Sequence, residues 1–179
     1  MEEWMKQLEH CTLCPRACGV NRITGNTGAC HTDAQMRVAR AALHFWEEPC
    51  ISGKEGSGAI FFTGCALGCV FCQNTDISRG QAGKTVTVEQ LARICLNLQA
   101  QGANNINLVT AGHYLPAVAE ALKLAKVQGL QIPVVYNSSG YEKPEALRLL
   151  DGLVDIYLPD MKYMDTQLAK QYSHAEDYP

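Results

Sequence analysis

The chain has no apolar run approaching the roughly 18 residues that a membrane span needs. Its opening, MEEWMKQLEH, has neither a basic n-region nor an apolar h-region, so no secretory leader is expected and a cytoplasmic setting follows. A basic excess is also missing. The net charge is −3 and the pI about 5.9, which argues against a nucleic-acid groove or a membrane-surface patch. Charged residues make up only 18% of the chain against 47% apolar, a balance that excludes a disordered chain. There is no low-complexity segment and no repeat beyond an alternation of strands and helices. The 179 residues suffice for one domain with a core, or a domain with a small appendage.

Cysteine is what the chain has in excess. Nine cysteines, an odd number without a leader, point to metal or redox chemistry rather than disulfides. They fall into Cys11, Cys14, Cys18 and Cys30, a triplet Cys65, Cys69 and Cys72, and two singles. Cys95 sits on the apolar stripe of a helix pattern, where a small buried hydrophobe fits. Cys50 is read as structural too, and Glu47 and Glu48 beside it as exposed loop carboxylates, with a substrate-facing role as the alternative.

Two textures divide the chain. Residues 1–54 form a cysteine-rich extension with turn signals at NRITGNTGAC and ISGKEGSG, and RVARAALHFW is a candidate extended segment. Residues 55–179 alternate. AIFF (59–62), INLVT (106–110), IPVVYN (132–137) and VDIYLPD (154–160) are strand candidates. Between them lie helix patterns. The first, from Thr87, has Gln90 as capping-box partner and Gly102 at its end. LPAVAEALKLAKVQG and KPEALRLLDG each have an early Pro and a final Gly. MKYMDTQLAKQYSHAEDYP starts one more helix.

This is an α/β pattern with about four parallel strands, too few to close a barrel, so the sheet is open or the chain is a fragment of something longer. Ligands of such sheets sit at the carboxyl ends of the strands. Four polar loops would share that face: Cys65–Cys72, Thr110–His113, Asn137–Tyr141 and Asp160–Lys162.

The stretch TGCALGCVFCQN places its three cysteines in CxxxCxxC spacing directly after a strand. Three thiolates can hold three irons of a [4Fe–4S] cluster and leave the fourth iron open for substrate or cofactor. Gly64 and Gly68 suit a loop wrapped tightly around such a group. Zinc is the competing metal, but a structural zinc site wants four donors and no fourth is nearby in sequence except Cys50. The N-terminal quartet supplies four thiolates for tetrahedral zinc or a second iron–sulfur cluster, with metal binding contributing to folding.

With Phe71 before its last cysteine, the triplet resembles the signature of radical S-adenosylmethionine enzymes. The segments CTLCPRACGVNR, HFWEEPCISG, GSGAIFFTGCALGCVFCQN, INLVTAGHY, VVYNSSGYE and VDIYLPDMKY together resemble the branch related to pyruvate formate-lyase-activating enzyme. The resemblance implies a partial radical-SAM (β/α) barrel whose C-terminal part is missing. It implies a [4Fe–4S] cluster on Cys65, Cys69 and Cys72 with S-adenosylmethionine on the open iron. Reductive cleavage would give a 5′-deoxyadenosyl radical that abstracts hydrogen from a glycine of a partner enzyme or from a small molecule.

It also implies a reductant such as flavodoxin or ferredoxin. Phe71 would lie against adenine. Thr110, Gly112 and His113 fall where the activating enzymes carry a glycine-rich, acidic segment for the methionine amino group; here the acidic residue is absent. Asn137 and Ser138 follow the third strand. Asp160 and Lys162 resemble an Asp-x-Lys near the methionine carboxylate and ribose. His113, Asn137 and the Asp160/Lys162 pair also read as a structural histidine, a turn residue and a local ion pair. A second, non-catalytic reading is a metal-binding module with an open strand edge for a dimer or partner chain; a zinc-binding regulator is a third.

Overall fold

The computed structural model describes residues 3–178; residues 1–2 and 179, the outermost residues of the two expected units, lie outside it. A 3₁₀ turn over Glu3–Leu8 and a long loop lead into β1 (Arg37–His44). There follow α1 (Pro49–Ser52), β2 (Ser57–Phe62), α2 (Thr75–Ser78), β3 (Lys84–Thr85), α3 (Val88–Ala100), β4 (Ile106–Val109), α4 (Leu115–Val127), β5 (Val134–Ser138), α5 (Pro144–Leu147), β6 (Ile156–Pro159) and α6 (Thr166–Ser173).

One sheet has the order β3-β1-β2-β4-β5-β6. β2, β4, β5 and β6 are parallel, as their alternation with helices demands. β1 lies antiparallel between β2 and β3, so the extended segment within residues 1–54 is hydrogen-bonded into the sheet. The fold is a partial (β/α) barrel.

The helices form where the sequence signals them. Thr87 accepts the Gln90 N–H while the Gln90 side chain accepts the Thr87 N–H, a complete capping box for α3. Pro144 opens α5, but that helix tightens after one turn into a 3₁₀ segment over Arg148–Leu150 rather than running on to Gly152.

Strand residues alternate between faces. Ile60, Phe62, Ile106, Leu108, Val134 and Tyr136 join the core with Leu91, Cys95 and Leu98 of α3 and Val118 and Leu122 of α4. The alternate set, Phe61, Asn107, Val109 and Asn137, faces away from those helices. Cys95 is fully buried, and burial pushes its thiol up to about 12, as befits a packing residue. Cys50 lies exposed in α1.

Candidate functional site

β2 ends at Phe62, and the chain turns at once into the cysteine loop. Gly64 has φ +91°; a β-carbon there would sit 2.4 Å from Thr32 Cγ2 and 2.6 Å from the Cys30 carbonyl, so only glycine lets the loop pass. Gly68 has φ +65° with open space around it. Leu67 is fully buried with Tyr141, Tyr163, Ala169 and Ala175, which anchors the loop between its first two cysteines. Burial raises the Cys65 thiol pKa, the backbone N–H groups of Gly68 and Leu67 work against that, and the neighbouring Cys69 and Cys72 push it further up.

These are the donors an iron–sulfur cluster requires: three thiols in mutual range, with backbone N–H groups aimed at sulfur. Among the described residues no three His, Cys, Asp or Glu side chains converge as a ready-made site for one metal ion. A cluster spreads its thiolates over different irons of one cubane, so its three sulfurs stand farther apart than the ligands of a single ion. Tetrahedral zinc on the N-terminal quartet does need it.

The other strand ends surround this loop. Burial works against the Lys162 charge, but Asp160, 2.6 Å away, overrides it, and Cys69 adds to the rise in the Lys162 pKa. Phe71 is 55% exposed and meets Tyr163 and Tyr172 edge-on at 6.0 and 6.3 Å. Thr110 has φ +59°, rare for a β-branched residue, and its N–H donates to the Asn137 carbonyl at 2.9 Å. Ser138 is buried, donates to Glu142 Oε2 at 3.1 Å and accepts the Gly140 N–H. Gly112 lies so close to Glu142 that a β-carbon would be 3.0 Å from Oε1.

His113 is placed differently from its neighbours. Its ring is buried, and Nε2–H donates to the Thr63 carbonyl at 2.7 Å. Burial lowers its pKa to about 3, so it is neutral. Its own carbonyl accepts from Arg22 at 2.7 Å. The histidine supports the root of the cysteine loop from inside the protein.

Two carboxylates stand near the carboxyl ends of the strands beyond the residues singled out by motif. Glu142 accepts from Tyr136 and Ser138, and burial raises its pKa. It falls just beyond the loop after β5, and its acidity was the available signal. Glu47, expected as an exposed loop carboxylate, is instead only 13% exposed. It accepts from Asn137 Nδ2 at 3.3 Å, and burial raises its pKa while His44 opposes. The fully buried Asn107 amide makes no close hydrogen bond among the described residues but stands near enough to Glu47 to oppose the rise in its pKa. Nothing local marks Glu47, because its partner is 90 positions away.

The N-terminal quartet lies behind the loop. Cys11 and Cys30 are buried, Cys14 half-buried and Cys18 exposed. A β-carbon on Gly28 would touch the sulfurs of both Cys18 and Cys30, at 3.1 and 3.6 Å. Burial drives the Cys14 thiol up to about 11; the Arg16 N–H opposes this and the other three thiols of the quartet add to it.

A parallel half-barrel with three thiols at its carboxyl edge defines a class, and the sequence comparisons agree with it. The profile of the Radical SAM superfamily matches residues 59–175, and the chain belongs to that family. It is 33% identical over 177 residues to the uncharacterized protein MJ0674 of Methanocaldococcus jannaschii, covering 95% of this chain and 50% of that protein. It is 30% identical over 111 residues to the pyruvate formate-lyase-activating enzyme of Clostridium pasteurianum, covering 59% of this chain and 45% of that enzyme. The chain thus spans about half the length of these relatives. No solved structure matches it. No helix among the described residues is long and apolar enough to cross a membrane.

Proposed function

We propose that Cys65, Cys69 and Cys72 hold a [4Fe–4S] cluster on which S-adenosylmethionine is cleaved, making this chain part of a radical-generating enzyme. The cluster would supply the electron, received from a reductant such as flavodoxin or ferredoxin, that splits the sulfonium into methionine and a hydrogen-abstracting 5′-deoxyadenosyl radical. The chain's own residues bind and orient. Lys162, ordered by Asp160 and facing Cys69, pairs with the methionine carboxylate. Glu142, beside Gly112, takes the place of the missing acidic residue and accepts from the amino group. Phe71 offers an apolar face to adenine. Thr110, Asn137 and Ser138 shape the floor, and His113 keeps the loop's root in register through Thr63.

The observation that carries this reading is the placement of the three thiols at the strand edge that also bears Lys162 and Glu142. The likeness to the clostridial activating enzyme supports a substrate in that style, a glycine of a partner enzyme. We also propose that Cys11, Cys14, Cys18 and Cys30 bind a second metal, zinc or iron–sulfur, with zinc requiring these thiols to draw together on binding; that residues 1–54 form a cysteine-rich unit that lends β1 to the sheet of the barrel of residues 55–179; and that the protein works in the cytoplasm.

The test is anaerobic reconstitution, reduction, addition of S-adenosylmethionine and mass spectrometry for 5′-deoxyadenosine. Product from the wild-type chain and none from Cys69→Ala supports the proposal. A full cluster without cleavage overturns catalysis by this chain. That outcome would favour a non-catalytic metal-binding module, a reading supported by β6, which among the described residues pairs only with β5 and leaves Ile156 and Tyr157 exposed.

A further inference from the structure

The N-terminal segment touches the cysteine loop through a residue the proposed chemistry does not use. Arg16 stands between Cys14 and Cys18. Its Nε donates to the Ala66 carbonyl at 2.9 Å and Nη2 to the Leu67 carbonyl at 3.0 Å. Nη1 and Nη2 also donate to the carbonyls of His174 and Ser173. The guanidinium lies 5.3 Å from the centroid of the Tyr141 ring.

Ala66 and Leu67 lie between Cys65 and Cys69; Ser173 and His174 close α6. A helix ends with carbonyls that lack intrahelical partners, and a cation there also complements the helix dipole. The guanidinium reaches four carbonyls from two segments at once; a lysine ammonium, with three donors and no planar fork, cannot hold all four. The same seam carries a backbone bond, Val70 N–H to the Tyr172 carbonyl at 2.9 Å. A second strap runs from Cys65 N–H to the Cys30 carbonyl at 3.2 Å.

We infer that Arg16 is a positioning residue that holds the Cys65–Cys72 loop against the end of α6, in the shape in which its thiols take up a cluster. The part concerning the loop stands in the metal-free chain; the part concerning the cluster rests on the function proposed above.

The first measurement is residue-level amide hydrogen exchange on the metal-free chain, comparing wild type with Arg16→Lys and Arg16→Gln. Exchange at Val70 is expected to accelerate on the order of tenfold in both variants, with Ile60 and Leu108 in the sheet unchanged. If Arg16 served only to tether its own segment, Gly19, whose N–H is bonded to the Cys11 carbonyl, would accelerate and Val70 would not; that result overturns the inference. Should Arg16→Gln fail to fold, Arg16→Lys, which retains the charge, decides. The second measurement is iron per chain and the electron paramagnetic resonance spectrum of the reconstituted, reduced protein with and without S-adenosylmethionine. Both variants are expected to lose half or more of the iron, or the spectral response to S-adenosylmethionine. A wild type without a responsive cluster sinks the proposed function and leaves the exchange data to decide Arg16. A responsive wild type with variants identical to it overturns the cluster role of Arg16.

Discussion

Gly112 and Glu142 approach so closely that a single methyl group on the glycine would come within 3.0 Å of the carboxylate oxygen. That contact brings an acidic side chain from after β5 to the end of β4, where no acidic residue exists in the local sequence.

Glu142 therefore has two testable consequences. Burial raises its folded pKa above the ordinary 4.5, so the folded protein holds this proton more tightly than the unfolded chain. The stability it contributes is full below pH 4.5 and is lost as pH rises through the folded value. Glu142→Gln should flatten that decline, leaving the variant at least as stable as wild type at neutral pH in denaturant titrations. Its affinity for S-adenosylmethionine, measured by calorimetry on the reconstituted protein, should fall roughly tenfold, the order expected for a lost charged hydrogen bond.

His113 acts in the opposite sense. Its folded pKa is lowered from 6.5 to about 3, so the unfolded chain binds the extra proton more readily. Its contribution is complete above pH 6.5 and lost as pH falls toward 3, amounting to roughly 2 kcal/mol by pH 5. His113→Gln should cost stability at pH 7.5 but show a shallower acid limb than wild type in thermal melts from pH 7.5 to 4.5.

The two loop glycines separate packing from backbone freedom. Gly64→Ala meets the Cys30 carbonyl and Thr32 at a positive φ, and should destabilise by about 3 kcal/mol or more. Gly68→Ala has space and only the backbone penalty, about 1 kcal/mol. Chemical denaturation of the metal-free variants reads both, and equal losses would refute the close-approach argument for Gly64.

Lys162 distinguishes binding from stability. Its ion pair with Asp160 is largely exposed, and such pairs contribute less than about 1 kcal/mol. Lys162→Met should leave the melting temperature almost unchanged while weakening S-adenosylmethionine binding roughly tenfold, with reduced salt dependence. Unchanged binding would remove Lys162 from the site.

Much of the fold was legible because its signals are local. The Thr87–Gln90 capping box, the Pro-to-Gly span of α4 and the apolar strand runs each specify backbone within a few residues. The cysteine triplet was legible for the same reason: its spacing after β2 is contained in one short loop. β3 was not, being two exposed residues defined only by pairing with β1. The short α5 was overestimated, because its apolar pattern continues past the point where the chain tightens.

The sequence by itself determined the class of the protein, since helix caps, strand periodicity and cysteine spacing are near-neighbour properties. Only the tertiary structure decided that His113 turns inward to Thr63, that Glu47 meets Asn137, that Glu142 reaches Gly112 from the Tyr136 side of the sheet, and that Arg16 reaches the cysteine loop and α6. The His113, Glu47 and Arg16 contacts join residues 50, 90 and more than 150 positions apart. They exist because burial and hydrogen-bond satisfaction are settled for the whole chain at once, and no short window of sequence encodes them.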